Sequence, residues 1–306
     1  MEKINFEKTK LNNRLYKRVN TVYIEYLKNK KDKDSLLKII NEVETPESVY
    51  NSNAIENSTL TLDDTERILM DMEVSKNVSL RELNEAQNLN KVMNYVESKS
   101  KEADLELDII LILHKVLLNN INDDISGRLR KDNEWVRVGK HIGPDPRLVE
   151  SLIIKLINIY KASDEHILVK AAKFHRSFEL IHPFIDGNGR IGRVIINYML
   201  LRAGYPPIIV RDKDKQDYYQ SFKLEKGEQH LTKILVDLTC ESLHKRLAYM
   251  KSLKIITLDE YSKGEHNFNN ESASSLLNKA YRQTIPAFRE RGVWKIGVEH
   301  NTTLDK

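Results

Sequence analysis

Between His182 and Arg193 the chain reads His-Pro-Phe-Ile-Asp-Gly-Asn-Gly-Arg-Ile-Gly-Arg. This places an imidazole, a carboxylate, a Gly-Asn-Gly turn and two guanidiniums in one short segment. The spacing predicts a helix ending before Pro183, because the residue preceding proline is pushed away from helical angles. A second helix is predicted from Asn188, stopping at Gly204 with Pro206 and Pro207 beyond. Gly187, Asn188 and Gly189 therefore stand at a helix start, where free backbone N–H groups and the helix dipole favour an anion. Arg190 and Arg193, three apart, are expected on one face, with forks suited to phosphate oxygens. Asp186 would repel phosphate directly, but is a fitting oxygen ligand for Mg²⁺ (or Mn²⁺) bridging phosphates. His182 titrates near working pH and can take a proton from an attacking hydroxyl.

These residues resemble the signature of the Fic family, His-x-Phe-x-Asp/Glu-Gly-Asn-Gly-Arg-x-x-Arg, at every specified position. The resemblance extends over roughly residues 45–250, with Phe174-His175 before the motif and Gly204-Tyr205-Pro206-Pro207 after it. It implies a mainly α fold, a Fic-type helical bundle with a short β-hairpin flap. It also implies a protein adenylyltransferase, moving AMP from ATP to a Ser, Thr or Tyr hydroxyl of a target or of itself. His182 would be the base and Asp186 would hold the metal on the α- and β-phosphates. The amides of Gly187 to Gly189 would cradle phosphate, with Asn188 at the α-phosphate, Arg190 at the β-phosphate and Arg193 at the γ-phosphate. The related phosphate-transferring branch carries a lysine after an Ala-Asn pair, where this chain has Gly187-Asn188-Gly189.

Upstream, Thr45-Pro46-Glu47 reads as a helix start, with a cap, a first-turn proline and an early acid. Ser52 and Glu56, four apart, then share a helical face. With Asn57 they resemble the Fic inhibitory motif, Ser/Thr-x-x-x-Glu-Gly/Asn, placed as in the subclass with an N-terminal inhibitory helix. The resemblance implies that Glu56 pairs with Arg193 and denies the γ-phosphate its partner. In some relatives the same glutamate positions a water that removes AMP from the modified target.

Residues 128–130 and 135–138 alternate around a polar turn, as two short strands would. The family places a flap here that holds the target segment by strand addition. Val136, Arg137, Val138 and Gly139 would border the nucleotide. Tyr218 and Tyr219 stand where relatives line the adenine pocket. Lys226 occupies the region where some relatives carry a base-facing asparagine, which leaves UTP, CTP and GTP open as substrates. His175 is expected to support the loop. His114, His141 and His166 show no metal-ligand spacing.

The 306 residues are 40% hydrophobic, enough for a sizeable core, and the net charge of +4 does not point to nucleic acid. The single cysteine, Cys240, excludes an internal disulfide. No apolar leader follows Met1 and no stretch is long enough to span a bilayer, so a cytoplasmic protein is expected. Helices are expected within 10–40, 46–56, 62–72, 79–97, 105–119, 146–161, 165–181, 188–203, 213–225 and 230–253. The domains expected are an N-terminal helical region over 1–98, a catalytic core over 99–253 and a small module over 254–306. In that module 272–281 and 283–292 read as helices and 293–298 as a strand, similar to a winged helix. Its mixed charge favours protein docking over DNA. A DNA-binding regulator using the core as a nucleotide sensor is the competing reading, and a second copy of the chain is a further partner to consider.

Overall fold

The computed structural model describes residues 12–71, 78–139, 141–264 and 270–300. The amino terminus on which the leader reading rests, and residues 265–269 read as loop, lie outside the described residues. The helices α1 (Asn13–Asn29), α2 (Asp34–Ile55), α3 (Leu62–Glu66), α4 (Leu80–Glu102) and α5 (Leu107–Leu117) lead to a hairpin of β1 (Arg137–Val138) and β2 (His141–Ile142). Then follow α6 (Val149–Ala162), α7 (Ile167–Ile181), α8 (Asn188–Arg202), α9 (Lys215–Lys223) and α10 (Gly227–Met250). The chain closes with β3 (Lys254–Thr257), α11 (Leu258–Lys263), α12 (Ala273–Tyr281), β4 (Ala287–Glu290) and β5 (Val293–Val298). Among the described residues no helix is long and apolar enough to cross a membrane.

Contacts divide the chain at other places than residues 98 and 253. One unit holds Glu44–Ile234; the other holds Asn12–Val43 and Leu235–Lys306. In the first unit α8 packs on both α7 and α4. Ile191, Val194, Ile195, Tyr198 and Met199 are buried along α8. A helix buried on most faces lies at the centre of its bundle, so the motif is fixed to the best-packed element of that unit.

The expected helix start at Thr45 is not one. Helix α2 begins at Asp34, and Pro46 lies inside it. Proline lacks the N–H of a helix interior, but one missing bond does not stop a helix whose faces are packed; Val49 and Ile55 are buried. The other end of α2 also differs. Glu56 is not on a helical face but just beyond the last turn, in a Schellman ending. Asn57 adopts φ 69°. Its N–H donates to the Ala54 carbonyl and the Ser58 N–H to the Asn53 carbonyl, both at 3.0 Å. Only glycine, and next asparagine, enters that left-handed region readily. This gives the Gly/Asn position after Glu56 a backbone reason.

Two further expectations need correction. Residues 128–130 form no strand; the hairpin pairs Arg137 with Ile142 and Val138 with His141. Arg128 instead grips Glu134 with two 2.8 Å bonds, and Arg130 turns inward. Residues 283–292 are not a helix. Gln283 is left-handed (φ 49°) and Ala287–Glu290 is a strand. Thr284, Ile285 and Pro286 favour extended chain over helix. The second unit nevertheless has a winged-helix-like order, with β3 before α11 and α12, then β4 and β5, and an antiparallel sheet in the order β3-β5-β4. Its core is Leu258, Ala280, Ala287, Trp294, Ile296 and Val298. The Arg289–Glu241 pair is buried there (2.8 Å).

Because the ending of α2 is fixed by a left-handed residue, Asn57→Val should cost about 1–2 kcal/mol in urea unfolding. Asn57→Gly should leave the midpoint nearly unchanged.

Candidate active site

Helix α7 ends on His182, whose N–H still reaches the Phe178 carbonyl (2.8 Å) while its own backbone turns left-handed (φ 49°). That turn reverses the chain into Pro183 and the loop that leads to α8. The loop is closed by Asn188, whose side chain both accepts from the Phe184 N–H and donates to the Phe184 carbonyl, each at 2.9 Å. The Asn188 side chain is thus engaged in holding the loop, with one of its two amide hydrogens on the Phe184 carbonyl. Gly187 caps α8 at φ 81°, and a Cβ there would press on Leu117. His114 stacks on Phe184 with ring centroids 3.7 Å apart, and its Nε2 lies 3.1 Å from the Asp186 carbonyl. The Gly127 N–H donates to Nδ1 of His114, so Nε2 carries the proton and donates to that carbonyl.

The first i→i−4 bond of α8 runs from the Ile191 N–H to the Gly187 carbonyl. The amides of Asn188, Gly189 and Arg190 precede it and have no partner inside the helix. A carboxylate already lies against this turn. Glu56 Oε1 sits so close to Gly189 that a Cβ there would collide with it. The same oxygen is 2.9 Å from Arg193 Nη2. Arg193 also donates through Nε to Ser52 Oγ (3.0 Å) and through Nη2 to the Ser52 carbonyl (2.8 Å). Burial works against the Arg193 charge, yet the Glu56 carboxylate outweighs it and holds the guanidinium protonated. Ser52, Glu56 and Arg193 thus come together, and Asn57 supports them through the turn.

His182 retains partial exposure. Its Nδ1 lies 3.3 Å from the Glu179 carbonyl. A carbonyl can only accept, so Nδ1 carries the hydrogen and Nε2 keeps its lone pair. Burial lowers the imidazole to about 4, so it is neutral at pH 7. The Arg130 Nε donates to the His182 carbonyl at 2.8 Å. Asp186 is half-buried. Its Oδ1 accepts from the Gly187 N–H (2.6 Å) and faces Arg190 Nη2 (3.4 Å); its Oδ2 faces Arg81 Nη2 (3.1 Å). Mg²⁺ is commonly held by one or two carboxylates with the rest supplied by water and phosphate. A single accessible carboxylate beside an anion site fits that chemistry. Among the described residues no group of three or more His, Cys, Asp or Glu could hold a metal alone.

Arg190 and Arg193 do not act on one face as expected. Arg190 is buried and pairs with Glu85 (3.2 Å) and Asp186. Tyr218 is buried, with its hydroxyl 2.5 Å from His175 Nε2. It stacks beside His175, with ring centroids 5.8 Å apart. The Tyr219 hydroxyl donates to the Ile55 carbonyl at the end of α2 (3.1 Å). The hairpin residues Val136, Arg137 and Gly139 are joined to the site by anchors at its base. His141 Nε2 lies 2.9 Å from the Leu180 carbonyl, and the Gly143 N–H donates to the Val136 carbonyl. The Val138 side chain lies outside the described residues.

Sequence reasoning missed Glu179, Glu85, Arg81 and the roles of His114 and Arg130. Glu179 had the clearest signal, one helical turn before His182. It is largely enclosed, its buried Oε1 has no partner among the described residues, and Oε2 is 3.9 Å from His182 Nδ1. Burial, followed by the nearby Glu56 carboxylate, pushes its carboxyl up to about 8.

Residues 104–200 match the family model described as Fic/DOC family. A relative from Nematostella vectensis named "Protein adenylyltransferase Fic" is 35% identical over 177 residues, covering 56% of this chain and 41% of the relative. The chain thus spans about two fifths of that relative's length. A Fic domain containing signaling protein from Bacteroides thetaiotaomicron superposes with TM-score 0.71 at 24% identity, covering 77% of this chain and 98% of that one. A Fic family protein from Desulfovibrio desulfuricans gives 0.67 at 18%, covering 96% and 98%. The likeness to the two solved structures establishes the fold.

A carboxyl raised to about 8 keeps its proton in the folded protein over a range where the unfolded chain has released it. Stability contributed at this position is therefore intact below the ordinary carboxylate range and lost as pH rises towards 8. Glu179→Gln should melt higher than the parent at pH 8, with the difference shrinking towards zero at pH 4.5; thermal melts across that range read it.

Proposed function

We propose that this chain, whose residues 104–200 belong to the Fic/DOC family, transfers the AMP part of ATP to a hydroxyl of a protein. Pyrophosphate leaves, and Glu56 holds the reaction off until it is displaced from Arg193. The observation that carries this reading is the pairing of a neutral His182, its Nε2 carrying the lone pair, with a helix amide turn one loop away that a carboxylate, Glu56, covers.

The proposed chemistry uses each group once. The target hydroxyl oxygen bonds to the α-phosphorus while the bond to the pyrophosphate oxygen breaks. His182 Nε2 takes the hydroxyl proton, and the imidazolium that forms keeps its Nδ1–H on the Glu179 carbonyl. The amides of Asn188, Gly189 and Arg190 are aimed along the α8 axis, where the negative charge of the phosphates is stabilised without reorganisation. Asp186 would hold Mg²⁺, which neutralises phosphate charge when bound. The name of the Nematostella vectensis relative supports AMP as the group moved.

The inhibition follows from the same geometry. The Glu56 carboxylate lies over the amide turn and on the guanidinium, which is where a phosphate of the nucleotide would bind. A polyphosphate must therefore displace a carboxylate from a buried arginine, and leaving such a charge unpaired costs ~3–5 kcal/mol. The β1–β2 hairpin, tied to α7 through His141, would hold an extended target segment beside His182 by strand addition. Trp135 and Ile142 are exposed on it.

The test is incubation with labelled ATP and Mg²⁺, read on a gel. Glu56→Gly should label itself or a lysate protein far more strongly than the parent. Glu56→Gly with His182→Ala should bind ATP but transfer nothing. Labelling that survives the loss of His182 would sink the base assignment. For Glu56→Gly the rate should stay level from pH 8 to pH 6, because His182 at about 4 remains neutral there, and should fall as pH approaches 4.

A further inference from the structure

Three guanidiniums stand around the amide turn, and they differ in what they can offer a ligand. The side chains of Arg190 and Arg193 are 4% and 6% exposed and already paired with carboxylates. Arg81 is 62% exposed. Its Nε donates to Glu85 Oε1 and its Nη2 to Asp186 Oδ2, both at 3.1 Å. Arg81 is the second residue of α4, whose first turn is capped by Ser79. The dipole at a helix start disfavours a cation there. An exposed ion pair with Asp186 contributes only about 0–1 kcal/mol. The i,i+4 pair with Glu85 anchors Nε, but it leaves Nη2 directed at Asp186 with little gained there, and anion binding gives that half of the fork a role.

Asp186 shows the same thing from the other side. Its Oδ1 is committed to the Gly187 N–H within its own loop, whereas Oδ2 faces Arg81. Arg81 therefore covers the oxygen of Asp186 that is free for a cation. Glu85 ties Arg81 and Arg190 together, because its Oε1 meets both. The guanidinium can thus leave Asp186 while Nε stays on Glu85.

We propose that Arg81 is a further phosphate ligand of this site, resting on Asp186 Oδ2 in the free protein and passing to an oxygen of the bound nucleotide's polyphosphate. The exchange swaps one charge-assisted bond for another of the same kind, so it costs little. It also uncovers Asp186 only when phosphate is present. The inference rests on the nucleotide reading above.

The test titrates the Glu56→Gly protein, with and without Arg81→Gln, by calorimetry with ATP in Mg²⁺ and separately with adenosine. The Arg81→Gln change should weaken ATP about tenfold, equivalent to about 1.4 kcal/mol, and leave adenosine unchanged. Arg81→Lys, a point charge without the fork, should fall between. Equal ATP affinity with and without Arg81 overturns the inference, and so does an equal loss for adenosine, which would mark a structural role. If the Glu56→Gly protein takes up neither ATP nor adenosine, the nucleotide reading fails and Arg81 falls with it. Melting of Arg81→Gln should match the parent, as expected for an exposed side chain that opposes the dipole of its own helix.

Discussion

The site depends on one buried cation held almost wholly by backbone. Arg130 is 1% exposed. Its Nε donates to the His182 carbonyl, and Nη2 donates to Ile181 (3.1 Å) and Pro144 (2.7 Å). The Arg130 N–H adds a bond to the Pro183 carbonyl at 2.9 Å. A helix that ends inside a protein leaves carbonyls needing donors, and α7 ends directly under the catalytic position. One planar fork meets several of those carbonyls at once. It also fixes the left-handed turn of His182 and the base of the hairpin together. Burial lowers the Arg130 pKa, yet four guanidinium bonds to carbonyls make the charge tolerable. A neutral or shorter side chain would leave the end of α7 unsatisfied, and His182 would lose the backbone position that aims Nε2.

A second constraint is electrostatic. Arg190, Arg193, Glu56, Glu85 and Asp186 lie around a helix start that itself favours anions. In the free protein the carboxylates supply that negative charge. Glu85 and Asp186 serve Arg190, and Glu56 serves Arg193. A buried pair contributes little net stability, because desolvation offsets the attraction, but removing one partner is expensive. The arrangement therefore resists loss of an anion while remaining indifferent to which anion is present. Under the proposed function, that indifference would let a polyphosphate replace Glu56 without unfolding the pocket.

Much of this was legible in the sequence. The ends of α7 and α8 follow from Pro183 and from Gly204 with two prolines, and the Glu56–Arg193 pairing follows from the motif resemblance. What failed did so for physical reasons. Pro46 mimics a first-turn proline, but helix packing overrode the local signal and α2 begins at Asp34. Residues 128–130 alternate like a strand, yet the alternation records one buried and two partly buried positions in a loop clamped by Arg128–Glu134. The Asn188 amide also binds both backbone groups of Phe184, a demand visible only once the loop is closed. Arg81 and Glu85 carry no motif at all. They lie about a hundred residues from Asp186 and meet it only because α4 packs on α8.

That packing makes the first turn of α4 a junction between the segment carrying Glu56 and the start of α8. Glu82 Oε1 accepts from the Thr59 N–H (2.8 Å) and the Thr59 hydroxyl (2.7 Å), in the stretch that follows the Schellman ending of α2. These bonds hold the Glu82 carboxyl down at about 2, so the tie persists at any working pH. Its neighbour Arg81 reaches Asp186. Two consecutive residues of one helix therefore touch the chain carrying Glu56 and the carboxylate that precedes the amide turn. On the other side, Tyr219 holds the last carbonyls of α2 through Ile55, and Asn51 Oδ1 accepts from the Asp212 N–H at 3.0 Å. Glu56 is thus fixed by bonds on either side of it, while its own carboxylate lies on Arg193 and against the Gly189 turn. Under the proposed inhibition, a rotation of the Glu56 side chain, on a backbone that Asn57 has already turned aside, would open the amides of α8 without unfolding α2.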